Sequence, residues 1–273
     1  MRKLSIAIAV TGVAVALAAC SSSKTDSPSS APASSSSSSA SSTGHAAGGG
    51  SGTGIDAAAF VAQATAATEK AQTVKVKESM SLLGMQLTAN GAAKFGNQTV
   101  DADVTSNTPI GPVQVIIVDG DVYLKGLNKG NPSKPWTKNA GESKEIASAL
   151  KQADPRLALQ MFSNVGTLKQ VGTETVNGVS ATHYSVTVDL AKVAKQHPEA
   201  AEILNVLIQQ GVKTQDVQLW VDSQKRPVRI VTSAQLPNPA KPGVKISSTQ
   251  SVDFTDWGAP VTIQAPPADQ VAN

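Results

Sequence analysis

The only cysteine of the chain, Cys20, stands where its thiol can undergo processing chemistry. It closes the run Leu17-Ala18-Ala19-Cys20, which follows two basic residues near the start and an uncharged apolar stretch, Leu4–Ala19. A basic start, an apolar run and small residues before a cleavage point form the pattern of a secretory signal peptide. The apolar run has about 16 residues, short of the roughly 20 that a membrane-spanning helix needs. The sequence therefore predicts a signal peptide over residues 1–19.

The run Leu-Ala-Ala-Cys also resembles a bacterial lipobox. In a lipobox the cysteine thiol is diacylated, for example with palmitate, and the cysteine becomes the mature N-terminus. Two acyl chains hold a protein stably on a bilayer, whereas one holds it only marginally. We therefore expect Cys20 to be the lipidation site, with the protein on the extracytoplasmic face of the cell membrane. The alternative is an ordinary signal peptide whose cleavage falls near a cysteine.

The segment after the cysteine has the composition of a linker. Residues 20–54 are almost entirely Ser, Ala, Gly, Pro and Thr, and they show no apolar periodicity. Such a segment cannot bury enough apolar surface to offset its ordering entropy, so we expect it to be disordered. A Gly/Ser-rich coil of this length spans roughly 30–35 Å, which would hold a folded domain clear of the membrane.

Residues that could catalyse a reaction form no recognisable constellation. The chain contains no Gly-x-Ser-x-Gly elbow, Walker loop or His-Glu-x-x-His helix. Of the histidines, His45 lies in the linker, His183 in a predicted strand and His197 before a proline. Alternation directs His183 away from the apolar strand face, which favours a structural role. We expect no enzymatic activity and no cofactor, and a hydrolase would need a nucleophile and base that the sequence does not display.

Two carboxylates could in principle hold a cation. Asp101 and Asp103 share one face of a predicted strand, two residues apart. Oxygen ligands suit hard cations, but such pairs are usually a solvated strand face. We therefore predict no metal site.

Residues 55–273 suit a single domain stabilised by its core alone. Loss of Arg2 and Lys3 with the signal peptide leaves 21 basic against 20 acidic residues. Because nucleic-acid binding usually needs a strongly basic face, this balance argues against a nucleic-acid partner. The chain has no cysteine other than Cys20, so the domain has no disulfide available to it.

The predicted elements are a helix, a long antiparallel sheet and further helices. The Ala-rich segment 55–72 predicts the first helix, and period-two alternation from Thr73 onwards predicts strands. Turn pairs are expected at Asn90-Gly91, Gly96-Asn97, Asp119-Gly120 and Asn177-Gly178. Further helices are predicted over 142–152, 156–162 and 190–210, the last broken at His197-Pro198. The later strands are predicted over 166–175, 182–188, 217–221, 228–232 and 244–254.

This order resembles the actinobacterial LppX/LprG-type lipoproteins, which belong with the LolA/LolB-like folds. The resemblance spans roughly Ile55–Val271 and rests on short motifs: Asp121–Lys125 with Trp136, His183–Asp189, Leu219–Asp222 with Pro227–Ile230, and the tail from Phe254 through Pro266–Asp269. It implies an α+β fold in which helices cover the concave face of a curved antiparallel half-barrel. It also implies an apolar cavity that accepts the acyl chains of lipids or lipoglycans, for transport or storage in the cell envelope.

Alternation selects the residues that would line such a cavity. The expected lining residues are Val115, Ile117, Tyr184, Val186, Val188, Leu219 and Ile230 from strands, and Leu204, Leu207 and Ile208 from a helix. Aliphatic and thioether walls suit variable acyl chains, and they equally suit a densely packed core. Two readings therefore stay open: a lipid carrier, which could work with an envelope transporter, or a LolA-like sensor or assembly lipoprotein that binds a protein partner without lipid.

Overall fold

The computed structural model describes residues 55–82, 85–96, 99–109, 111–126, 131–138, 167–196, 198–238 and 243–272, together with Arg156 and Leu159. Cys20, the linker and the helix expected over 142–152 lie outside these residues. Of the helix expected over 156–162, only Arg156 and Leu159 are described, and both are helical. All structural statements below concern the described part of the chain.

One sheet contains every strand of this part. The strands are β1 (Ile55–Asp56), β2 (Thr73–Leu82), β3 (Met85–Phe95), β4 (Val100–Thr108), β5 (Gly111–Val118), β6 (Asp121–Lys125), β7 (Trp136–Lys138), β8 (Thr167–Val176), β9 (Val179–Asp189), β10 (Thr214–Val221), β11 (Pro227–Pro237), β12 (Lys245–Thr255) and β13 (Val271–Ala272). Their order across the sheet is β1-β8-β9-β10-β11-β12-β2-β3-β4-β5-β6-β7-β13. Every pair is antiparallel except β7 with β13. The sheet is curved and does not close, which confirms the predicted α+β half-barrel.

Two of the predicted turns are confirmed, because their residues adopt the left-handed backbone that a tight hairpin needs. Asp119 and Gly120 have φ of 53° and 82°, and Asn177 and Gly178 have φ of 52° and 78°. Gly96 ends β3 as expected, and its partner Asn97 lies outside the described residues.

The turn predicted at Asn90-Gly91 is wrong, because β3 runs through both residues without interruption. The β2–β3 hairpin instead closes beyond the pair Leu82 and Met85. Gly91 allows β3 and β4 to approach closely, because a Cβ there would lie 2.3 Å from the carbonyl oxygen of Asp103 on β4. Only glycine therefore fits at this strand position, and its role is to admit a neighbouring backbone.

Three α-helices have both ends among the described residues, and a short 3₁₀ helix, Ala268–Gln270, precedes β13. Helix α1 (Ala57–Ala71) begins at Asp56, whose carboxylate accepts the Ala59 N–H at 2.7 Å, and ends at Gln72 in the left-handed conformation. Helices α2 (Leu190–Gln196) and α3 (Pro198–Gln209) are separated where the break was predicted, since proline suits the first turn of a helix. No helix among the described residues combines the length and apolarity needed to cross a bilayer.

The helices cover one face of the sheet, here called the inner face. Phe60 of α1 packs on Tyr184 of β9 with ring centroids 5.0 Å apart. The buried cluster that joins helices to sheet includes Ala57, Val61, Ala64, Leu159, Leu190, Val193, Leu204 and Leu207 from helices and Val74, Val188, Val217, Leu219, Val221, Ile230, Leu236 and Phe254 from strands. Burial of apolar side chains on both sides of this contact is what holds the helices to the sheet.

The opposite, outer face carries a smaller core. Ile116 of β5 packs there with Tyr123 and Trp136, and Ile263 and Val271 from the C-terminal tail cover them. At the far side of the sheet, β8 contains a register shift between Gln170 and Gly172, a bulge that leaves Val171 53% exposed. β1 pairs with only the first two residues of β8.

Candidate lipid-facing surface

Strand register shows which residues share the inner face. Residues paired across adjacent strands point to the same side of a sheet, and alternate residues along a strand do so as well. One row runs through Tyr184, Leu219, Ile230, Val252, Glu78, Ala89, Ser106 and Val113, from β9 across to β5. This row passes through the buried cluster under the helices and extends beyond it.

The ten residues predicted to line a cavity all lie on the inner face or on the helix that covers it. Tyr184, Val188, Leu219, Ile230, Leu204 and Leu207 are buried in one cluster, and Val186 and Ile208 pack against it while staying half-buried. Val115 and Ile117 are buried on β5, five strands away from β11. The structure thus brings eight of the ten together and places the other two further along the same face.

Part of the inner face keeps apolar side chains accessible. Along β3 exposure falls from Met85, which is 52% exposed, through half-buried Leu87 to Ala89, which is 5% exposed. Half-buried Met80 lies directly opposite Leu87 on β2. We call Met80, Met85 and Leu87 the open strip. It begins at the β2–β3 hairpin and leads toward the buried rows.

A group of polar side chains that the sequence did not predict lies beside the open strip and at its inner end. Glu78 is 3% exposed, and its carboxylate accepts a hydrogen bond of 2.5 Å from the Gln250 amide. The polar patch consists of Glu78, Gln250, Thr232, Ser248 and Ser106, all on the inner face. The signal was present in the sequence: Glu78 stands at an inward position of β2, where alternation calls for an apolar residue.

Ser106 is the exceptional member of the polar patch. It is 8% exposed, and its hydroxyl has no hydrogen-bond partner. A buried hydroxyl without a partner costs about 1–3 kcal/mol, so such groups are uncommon in folded proteins. Ala89 separates Ser106 from Glu78 in the same row of the sheet.

Tyr184 on the inner face has a displaced pKa. Burial raises the pKa of its phenol above the ordinary 10.0, and a hydrogen bond with Thr182 opposes this shift. The folded state then holds the phenol proton more tightly than the unfolded state. The stability that Tyr184 contributes is therefore fully present below pH 10.0 and is lost as pH rises through the folded-state pKa.

We therefore expect the alkaline loss of stability to be smaller in Tyr184→Phe than in the native chain. Thermal melts from neutral pH to above the tyrosine pKa would measure the difference. Tyr123, replaced by phenylalanine in the same way, is the matched control. Identical pH profiles for the native chain and Tyr184→Phe would contradict a buried, protonated Tyr184.

His183 lies on the outer face, as alternation predicted. Its ring stacks on Trp220 at 4.2 Å, its Nδ1 lies 3.0 Å from a Glu174 carboxylate oxygen and its Nε2 lies 2.8 Å from the Gln218 amide oxygen. Trp220 Nε1 donates to the same Glu174 oxygen at 2.7 Å. These contacts tie β8, β9 and β10 together, which is a structural role.

The carboxylate pair on β4 is engaged by neighbouring strands and turns. Asp103 accepts a hydrogen bond of 2.8 Å from the Gln114 side chain, and Asp101 accepts the Asp119 N–H at 3.3 Å. Within the described ranges, no group of three or more His, Cys, Asp or Glu side chains is placed to hold a metal ion.

Comparisons with known proteins relate the chain to lipoproteins through its fold. The crystal structure of LprF from Mycobacterium bovis superposes with a TM-score of 0.52 at 18% identity, over 77% of this chain and 96% of that one. Lipoprotein LppX from Mycobacterium tuberculosis gives a TM-score of 0.49 at 15% identity, over 76% and 98%.

In sequence, the chain is 32% identical over 129 residues to a Streptomyces griseus protein described as an uncharacterized 31.2 kDa protein in the rplA–rplJ intergenic region. The match covers 45% of this chain and 40% of that protein, so it spans about two fifths of the length of the curated relative. No family model matches the chain. At the level of fold, the chain is therefore similar to LprF.

Proposed function

We propose that this protein is a lipoprotein on the extracytoplasmic face of the cell membrane that binds the acyl chains of a lipid or glycolipid on its inner face. The observation that carries the proposal is the open strip, a line of accessible apolar side chains on the face that the helices otherwise cover. An acyl chain laid on such a surface gains about 25 cal/mol for each Å² of apolar area removed from water.

The unbranched and aliphatic side chains of this surface support a ligand without fixed shape. Met80, Met85 and Leu87 carry no hydrogen-bonding group that would orient a rigid ligand. Methionine adapts its three rotatable bonds to irregular partners, which suits chains of variable length. The protein then needs no catalytic group, and its action is reversible uptake and release of lipid.

In this proposal each of the three segments has a different role. Residues 1–19 direct export, lipidated Cys20 anchors the protein, and residues 20–54 tether the domain formed by residues 55–273. A tether spanning roughly 30–35 Å lets the domain reach lipid in its own membrane or in overlying envelope material. The LprF and LppX likeness is compatible with this arrangement through the fold alone.

The proposal predicts that Val186→Trp displaces lipid while the domain stays folded. Val186 is half-buried on β9 beside buried Val217, and their row across the sheet ends at Met80 and Leu87 of the open strip. A larger ring at Val186 should therefore intrude on a ligand that extends from the strip along this row. In a densely packed core the same change would overpack and cost about 1–3 kcal/mol. The measurements are a thermal melt of the full chain purified from its own host and mass spectrometry of lipid extracted from it.

The matched control is Val179→Trp, on the same strand but 41% exposed and off the inner face. It should keep both the lipid and the melting temperature of the native chain. A lowered melt for Val186→Trp, with no lipid in either protein, would refute lipid binding. That result would favour the alternative function, a LolA-like lipoprotein that binds a protein partner.

A further inference from the structure

We propose that the polar patch recognises a hydroxyl group carried within the acyl part of the ligand, so that this protein prefers hydroxylated over plain chains. The inference rests on the proposed lipid binding and specifies its ligand. The juxtaposition that carries it is a buried, unpartnered Ser106 hydroxyl in the same sheet row as buried Glu78, at the inner end of an accessible apolar strip.

The decrease in side-chain exposure along β3 indicates the direction in which an acyl chain would enter. Exposure falls from 52% at Met85 to 5% at Ala89, and the half-buried side chains of Leu87 and Met80 lie between. On this route Ser248 and Gln250 of β12 stand beside the strip, in the rows of Met85 and of Met80. The next row is that of Ala89, where Ser106 and Glu78 flank the small alanine. A chain that follows the apolar strip therefore reaches Ser106 at its inner end.

The chemistry of the patch favours a neutral hydrogen-bonding group. Glu78 presents carboxylate oxygens, of which one accepts from Gln250 at 2.5 Å, and a serine hydroxyl both donates and accepts. A ligand hydroxyl that reaches Ser106 supplies the partner its hydroxyl lacks, whereas a methylene at the same place leaves that hydroxyl unpaired. A net gain of one hydrogen bond corresponds to a preference of about three- to tenfold.

The polar patch has a clear cost when no ligand is present. Burying a polar group without a partner is unfavourable, and an apolar residue of similar size would avoid that cost. Apolar residues already occupy positions around Ser106 on this face, namely Ala89 on β3, Val104 on β4 and Val113 on β5. A serine between such neighbours lowers stability unless a ligand uses it, which is why we assign it a role in ligand selection.

The experiment compares ricinoleate with oleate, two chains of equal length that differ by one mid-chain hydroxyl, by calorimetric titration of the delipidated full chain. The native protein should bind ricinoleate about three- to tenfold more tightly than oleate. Ser106→Ala should bring the two affinities within about twofold by weakening the binding of ricinoleate. Its melting temperature should not fall, because the Ser106 hydroxyl has no partner to lose.

The control Ser79→Ala removes an exposed hydroxyl from the outer face of β2 and should keep the preference. Glu78→Gln preserves the shape of the side chain and should weaken the preference if the carboxylate contributes. Equal affinities of the native chain for ricinoleate and oleate would overturn the hydroxyl proposal while leaving lipid binding intact. Binding of neither chain would overturn the proposed function and this inference with it.

Discussion

Replacing Cys20 with serine should abolish lipidation completely and leave the precursor unprocessed at the end of its signal peptide. The physical reason is that acylation of a lipobox cysteine forms a thioether on sulfur, and no other cysteine in the chain can substitute. Loss of both acyl chains removes about 0.8 kcal/mol of membrane affinity for each buried methylene, so the protein should no longer partition stably with membranes. Metabolic labelling with a fatty-acid analogue, followed by membrane fractionation, would measure both effects.

The matched control is Ser21→Ala, one residue after Cys20, which should be labelled and should fractionate as the native chain does. Labelling of the Cys20→Ser protein at the native level would show that lipid attaches elsewhere or that the lipobox reading is wrong. Labelling of neither protein would favour an ordinary signal peptide.

Leu219→Ala should lower the free energy of unfolding by about 2–5 kcal/mol. Leu219 is 1% exposed within the buried cluster of the inner face, directly opposite Tyr184 on one side and Ile230 on the other. Removing its branched end leaves a void that the neighbouring strands cannot collapse into, because their register is fixed by hydrogen bonds on both sides. Urea denaturation with linear extrapolation would give the difference.

Val179→Ala is the control for Leu219→Ala, since Val179 is 41% exposed and its truncation should change stability by less than about 0.5 kcal/mol. A loss at Leu219 below about 1 kcal/mol would mean that its side chain faces free space in the unliganded protein. The measurement therefore shows whether Leu219 is packed in a core or borders free space that a ligand could fill.

The strand pattern of the sequence was sufficient to predict the sheet, because one side of most strands is buried. Tyr184, Val186 and Val188 alternate with polar neighbours, so their common face follows from period two alone. For Val115 and Ile117 the apolar run of β5 is continuous on both sides, and only register shows that Ile116 faces the outer core instead. In a continuous apolar run, alternation cannot show which face of the sheet a residue occupies.

The sequence did not predict features that depend on contacts between residues distant in the chain. Asn90-Gly91 has the composition of a turn, yet Gly91 is required by the approach of β4, which no local pattern reveals. Ser106 and Glu78 share a row of the sheet only through Ala89 of β3, and 28 positions separate them in the chain. Their placement in one row depends on the register of two hairpins, which the sequence does not specify by itself.

The bulge in β8 has a consequence for contacts between copies of this protein. Among the described residues, β1 pairs with Leu168 and Thr167 alone, so most of β8 has no strand on its outward side. A straight edge strand of this kind can pair with the same strand of another molecule. The kink between Gln170 and Gly172 breaks the regular ladder, and exposed Lys169 and Glu174 add charge beside it. Both features oppose edge-to-edge pairing of two copies.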